Sequence, residues 1–226
     1  MKREHLTQAV EDYLKVIYEL IVIHGRATTT DIADELDVKP ASVTGMIQKL
    51  AAAAPPLVEY EKHRGVALTP DGERVALEII RHHRLLEQFL HETLGFPWDE
   101  VHEEAHRLEH VISEAFEERI AQVLGNPSFD PHGAPIPTRD LKMPSCTNLG
   151  LDQLRNGQRG IIKQVPDDNP ELLRYLGDSG VFPETSFTVI EYSPFDNNLK
   201  IQMDGRDEPV VLGPGITCQI YVELEP

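Results

Sequence analysis

Gly25, the Thr28–Thr30 run, Pro40 and Pro55-Pro56 divide the first 70 residues and fix the order of elements there. Before Gly25, Val10, Tyr13, Leu14, Ile17, Leu20 and Ile21 recur at helical spacing through TQAVEDYLKVIYELIVI, residues 7–23, and Gly25 is a natural stop. Thr28 to Thr30 offer N-caps for a short helix, DIADELDV, and Pro40 fits the first turn of a third, ASVTGMIQKLAAAA. Pro55-Pro56 ends that helix. LVEYEK and VALTP then read as two strands joined by HRG, a hairpin. Helix, helix-turn-helix and hairpin, in that order, make a winged helix-turn-helix.

From Asp71 a long amphipathic helix is expected to run to about Leu94, broken by G-F-P. Another is expected from Trp98-Asp99 to about Gly125. Residues 126–150 are rich in Pro, Gly and Asn and read as a linker. Beyond them GIIKQV, SFTVIEY, NLKIQM, PVVL and ITCQIYVEL alternate like strands, interrupted by a helical NPELLRYL. That pattern predicts a small barrel or sandwich. The fold class is therefore mainly α with a β C-terminal part. The expected domains are a winged helix-turn-helix at 1–74, a helical domain at 75–140, a linker at 141–150 and a β domain at 151–226.

In a helix-turn-helix the start of the second helix enters the major groove. Here that stretch is VKPASVTGMIQKL. Lys39, Pro40, Ser42, Thr44 and Lys49 are the candidate DNA-contacting residues, and small hydroxyls such as Ser42 and Thr44 can reach phosphates or base edges. Lys62, His63 and Arg64 at the hairpin tip suit the adjacent backbone. The bland alternative is a winged helix used for protein contacts, its lysines a solvated face. Residues 1–75 hold 9 Lys and Arg against 12 Asp and Glu, so it is the ordered pattern and not the charge that points to DNA. The net charge of −17 argues against indiscriminate binding to nucleic acid or anionic membranes and suits a protein that concentrates cations.

Six of the ten histidines lie between residues 82 and 110. A lone histidine is usually an ordinary surface or core residue, and His82 and His91 are read that way. The joint register of the others is harder to dismiss. His106, Glu109 and His110 share one helical face one turn beyond His102, while His83 and Glu87 form an i, i+4 pair on the preceding helix. Imidazole with carboxylate suits Mn(II), Fe(II), Zn(II) and related ions, whereas Ca(II) takes oxygen alone. HEEAH, residues 102–106, also fits H-E-x-x-H. An alternative reading is thus a zinc metallopeptidase with His102 and His106 as ligands and Glu103 as base, but it has no downstream third ligand and leaves the helix-turn-helix unexplained. A second alternative is a DNA-binding regulator sensing a non-metal signal, its histidines acting as pH or dimer contacts.

Cys146 and Cys218 are far apart and form no C-x-x-C pair, which points to a reducing, cytoplasmic setting. No apolar run approaches a membrane span, and the charged N-terminus has no signal-peptide core.

Taken together, VEDYLKVIYEL, DIADELDVKPASVTGMIQKL, RHHRLLEQFLHETLG, VHEEAHRLEHVISE and PHGAPIP resemble the diphtheria toxin repressor family of metal-dependent transcriptional regulators, over residues 7 to about 140. The C-terminal segment resembles the small src-homology-like β-barrel of its longer members. The resemblance implies a homodimer, with 75–140 as the metal-binding and dimerisation domain, that represses from a palindromic double-stranded operator when metal is bound. It implies a primary site of Asp12, His106, Glu109 and His110. It implies an ancillary site of His83, Glu87 and His102, completed by the β domain, where Asp168 and Glu171 match best. Iron-responsive relatives carry Met where Asp12 stands and Cys where His106 stands, while manganese-responsive ones carry Asp and usually Glu. Mn(II) is therefore the expected cofactor and Fe(II) the next, with Zn(II) or Co(II) able to substitute in vitro. Lys15 stands where some manganese members offer a further Glu, which argues against a close two-manganese site there.

Overall fold

The computed structural model describes residues 6–61, 65–147 and 149–225. The chain divides into two compact units. One comprises 1–82, 109–112 and 137–143, and the other 83–108, 113–136 and 144–226.

The first unit opens with α1 (Gln8–His24), α2 (Thr29–Glu35) and α3 (Pro40–Ala51), followed by β1 (Val58–Glu61) and β2 (Gly65–Leu68). Its local signals act as expected. Gly25 closes α1 in a left-handed conformation (φ 72°), its N–H reaching the Ile21 carbonyl. Thr28 and Asp31 cap α2 reciprocally, and Pro40 occupies the first turn of α3. β1 and β2 pair antiparallel from Val58↔Leu68 to Glu61↔Gly65. Leu14, Ile17, Ile32, Val43, Ile47, Leu50, Leu57 and Val66 form the core of this winged helix-turn-helix. The hairpin-tip residues Lys62, His63 and Arg64 lie outside the described residues.

α4 runs Pro70–Glu92, and the division between the two units falls within it. Gly72 in its first turn is required by packing, since a Cβ there would lie 1.9 Å from the Leu57 carbonyl oxygen. The helix expected from Trp98 to Gly125 is in fact two, α5 (Val101–Leu108) and α6 (Glu114–Val123). In a continuous helix the Glu109 carbonyl would accept from the N–H four residues on. Instead it lies 3.1 Å from His82 Nδ1, and Ser113 caps a fresh helix by accepting from the Phe116 N–H. Glu109 and His110 thus sit on the turn after α5.

In the second unit, β3 (Arg159–Gln164), β4 (Ser186–Tyr192), β5 (Leu199–Met203), β6 (Val210–Leu212) and β7 (Tyr221–Leu224) form an antiparallel sheet. Their order is β6-β5-β4-β3-β7. α7 (Pro170–Asp178) matches the helical NPELLRYL stretch. ITCQIYVEL is only partly strand. Its start belongs to α8 (Pro214–Thr217), a helical turn that Pro214 initiates, and only YVEL pairs with β3. Ile162, Leu173, Leu176, Phe187, Leu199, Ile201 and Val222 fill this core. No helix among the described residues is long and apolar enough to cross a membrane.

Candidate metal centres and reading helix

On α1, Glu11 and Asp12 face the turn that carries Glu109 and His110. His110 Nδ1 donates to Glu11 Oε2 at 2.7 Å. Its Nε2 lies 2.8 Å from Asp12 Oδ1 and 3.2 Å from Glu109 Oε1. Adjacent ligands of an octahedral ion at about 2.1 Å stand roughly 3 Å apart, so these three atoms are spaced to share one cation. Lys15 Nζ donates to Glu109 Oε2 at 2.9 Å and occupies that carboxylate's other oxygen. Burial alone would lower the His110 pKa, but hydrogen bonds to Asp12, Glu109 and Glu11 outweigh it and push it up to about 11. A cation at Nε2 would compete with that proton. His106 stands on α5, in the second unit, and is exposed.

His83, Glu87 and His102 converge within the second unit. Glu87 Oε1 lies 3.0 Å from His83 Nε2 and 3.2 Å from His102 Nδ1, and the two imidazole nitrogens are 3.2 Å apart. This near-equilateral triangle again has the spacing of adjacent metal ligands. Burial opposes ionisation of Glu87, yet the His83 charge and hydrogen bonds from His102 and His83 hold its carboxyl well below the usual range.

Asp168 and Glu171 do not join this triad. Both are exposed, Glu171 in the first turn of α7. The neighbouring Asp167 instead groups with Glu87, Asp130 and His132, all four ligand atoms lying within 4.8 Å of one another. Sequence reasoning missed Asp130 and His132 because they lie in the Pro- and Gly-rich stretch read as linker, and the one available signal was the D-P-H-G run itself. That loop is held close to the sheet. Gly133 has φ 86°, and a Cβ there would meet the Lys163 carbonyl oxygen at 1.9 Å. The His132 carbonyl accepts from the Val165 N–H at 3.0 Å. Glu87 Oε2, Asp130 Oδ2 and His132 Nδ1 are buried without hydrogen bonds. Burial and the Glu87 charge push Asp130 up to about 7, against the pull of His132 and Arg84. Burial would lower His132, but the Glu87, Asp130 and Asp167 charges raise it. Buried acceptors that face one another without a hydrogen-bond donor suit a cation.

The H-E-x-x-H match dissolves in this geometry. His102 faces His83 and Glu87, while Glu103 is 70% exposed and paired with Arg107 at 3.2 Å. On α3, Lys39, Pro40, Ser42, Thr44 and Lys49 are all exposed, whereas Val43, Ile47 and Leu50 point into the core. Ser42 and Thr44 are thus presented outward in the first half of the helix and Lys49 in its last turn.

Comparison with known proteins agrees with this arrangement. Residues 5–66 match the iron dependent repressor N-terminal DNA binding domain. Residues 69–138 match the iron dependent repressor metal binding and dimerisation domain, and residues 149–224 the FeoA domain. The chain is 33% identical over 205 residues to the iron-dependent repressor IdeR of Mycobacterium leprae, covering 85% of this chain and 87% of that protein. It is 39% identical over 118 residues to the HTH-type transcriptional regulator MntR of Lysinibacillus sphaericus, covering 52% of this chain and 83% of that protein. Among solved structures, a manganese-dependent transcriptional repressor in complex with manganese superposes with a TM-score of 0.88 at 35% identity, covering 96% of this chain and 100% of that one. ScaR with bound Cd2+ superposes with a TM-score of 0.82 at 36% identity, covering 95% and 98%. The chain belongs to the iron-dependent repressor family that includes the diphtheria toxin repressor, and is a metal-dependent transcriptional repressor and not an enzyme.

Proposed function

We propose that this repressor acts as a homodimer on a palindromic operator and is activated by Mn(II), with Fe(II) the next best ion and Zn(II) or Co(II) able to replace them in vitro. The observation that carries this reading is the convergence of Asp12, Glu109 and His110 at adjacent-ligand spacing. A bound cation supplies a multivalent charge that these side chains share. Asp12 contributes a carboxylate from α1, which packs in the winged helix-turn-helix core, and Glu109 and His110 contribute theirs from the turn after α5. Coordinating together, they tie the reading domain to that turn. His106 completes the set from the last turn of α5. His83, Glu87 and His102 hold an ancillary ion, and the exposed Asp168 and Glu171 stand outside it.

The donor chemistry supports Mn(II). All candidate ligands are imidazole or carboxylate, and both described cysteines are free and exposed. Hard oxygen donors suit Mn(II), and a site without thiolate or thioether gives no advantage to softer ions. The division of labour follows 1–74, 75–140 and 151–226, joined by 141–150. α6 exposes Phe116 and Val123, seven residues apart on one face, which supports pairing of two copies through it. On α3, Lys39 and Lys49 face phosphates, while Ser42 and Thr44 reach phosphates or base edges. Lys62 and Arg64 take the backbone beside the groove. Metal favours DNA binding only as far as it binds the DNA-competent arrangement more tightly than the others.

The test is operator binding across Mn(II), Fe(II), Zn(II), Co(II) and Mg(II) at buffered free concentrations. Mn(II) should support binding, and Mg(II), which keeps its waters, should not. Equal binding with and without every ion would remove metal from the account.

A further inference from the structure

The Glu109 side chain is fully buried, and its two oxygens face different partners. Oε1 lies 3.2 Å from His110 Nε2, the atom that Asp12 Oδ1 also approaches, at 2.8 Å. Oε2 accepts from Lys15 Nζ at 2.9 Å. Lys15 follows Asp12 by three residues on α1, so the two project from one face of that helix. The Lys15 side chain is itself only 12% exposed, which makes this a charge-assisted bond largely shielded from water. A carboxylate chelates an ion by presenting both oxygens to it. To do so here, Glu109 would have to turn about its terminal bond and take Oε2 away from the ammonium, inside a packed interior with little room for movement. While Lys15 holds Oε2, a cation beside Asp12 and His110 receives one oxygen from Glu109.

The number of oxygens a carboxylate gives separates ions of equal charge. Ca(II) takes roughly six to eight oxygens at about 2.3–2.6 Å and fills that large shell with the help of chelating carboxylates. Mn(II) accepts a smaller octahedral set in which imidazole can take part. We propose that Lys15 is a specificity-determining residue of the α1 centre, which by holding Oε2 limits Glu109 to one-oxygen coordination and so turns away Ca(II) in favour of Mn(II). The inference rests on the reading of Asp12, Glu109 and His110 as the activating site, and adds to it a residue that selects among its ions. The ammonium charge by itself does not select. It repels Ca(II) and Mn(II) alike, since both carry two charges, and so moves both affinities together. Withholding the second oxygen bears more heavily on the ion that needs it.

Mn(II) binding to the full-length His83→Ala/His102→Ala protein, with the ancillary centre silenced, is followed by electron paramagnetic resonance with Ca(II) as competitor. The Mn(II) binding that a further Asp12→Ala change removes is that of the α1 centre. Ca(II) should displace this Mn(II) poorly. Lys15→Met, which keeps the apolar stem and removes the charge, should raise the affinity for Ca(II) relative to Mn(II) by about tenfold or more. Lys15→Arg, which keeps a donor for Oε2, should retain the original ratio. A merely structural lysine would shift both affinities together, so an unchanged ratio in Lys15→Met with Mn(II) still bound would overturn the proposal and leave the site reading standing. Ca(II) that displaces Mn(II) readily while Lys15 is intact would overturn it without any substitution there. An absence of Asp12-dependent Mn(II) binding would instead overturn the site reading, and the proposal with it.

Discussion

At the scale of single residues, a side chain outside the proposed ligand set orients one within it. Glu11 accepts from His110 Nδ1 at 2.7 Å, which turns Nε2 towards Asp12 and Glu109. Such partners fix the tautomer of a ligating histidine. Glu11→Ala should therefore weaken Mn(II) binding at the α1 centre about 10- to 100-fold, while Glu11→Gln, which keeps an acceptor oxygen, retains most of it. Titration calorimetry of the two variants checks this, and equal losses in both would refute it. The same site dictates a pH dependence. With its folded pKa raised to about 11 from 6.5, His110 contributes stability to the metal-free protein that is fully present below pH 6.5 and lost as pH rises through about 11. Metal at Nε2 must displace that proton, so affinity should rise about tenfold per pH unit between pH 6 and 8. Calorimetry in buffers of differing ionisation enthalpy should show the proton released. Part of this was legible from spacing, since His106, Glu109 and His110, and His83 with Glu87, follow helical register. Asp12 came only through family resemblance, because one acid on an amphipathic helix looks like any other. Asp167 was missed by one position, since the letters do not say which of two adjacent aspartates faces the site.

The element that matters most is the turn between α5 and α6. Apolar periodicity carries straight through residues 98–125, so a single helix was the natural reading. What interrupts it is a tertiary contact, His82 Nδ1 against the Glu109 carbonyl, which no local pattern encodes. His82 was read as an ordinary residue, and it is fully buried beneath this turn. His82→Ala should cost about 1–3 kcal/mol by leaving a buried carbonyl unsatisfied. It should also weaken metal binding at Asp12, Glu109 and His110. Chemical denaturation of the metal-free protein measures the first effect and calorimetry the second. Unchanged stability would mean that the turn is set elsewhere. By contrast, the caps of α1 to α3 were readable because Gly25, Thr28 and Pro40 act within one turn of the backbone they satisfy.

For the whole molecule, a net charge of −17 coexists with a DNA-binding domain. Non-specific attraction is therefore weak, and binding depends on a few well-placed cations. Lys39→Ala should lower operator affinity by a similar factor for all sequences and reduce the slope of log affinity against log salt by about 1, without altering Mn(II) affinity. Filter binding across salt concentrations tests this. The winged domain was legible because its breaks are chemical, whereas the loop bearing Asp130 and His132 was not, since its place is set by the approach of Gly133 to β3. The most direct test of the central claim is operator binding by the wild-type and Asp12→Ala proteins as free Mn(II) is raised. The wild type should bind only as metal loads, and Asp12→Ala should remain a folded dimer that fails to bind at any Mn(II) concentration. Operator binding by Asp12→Ala with the same Mn(II) midpoint as the wild type would contradict the account.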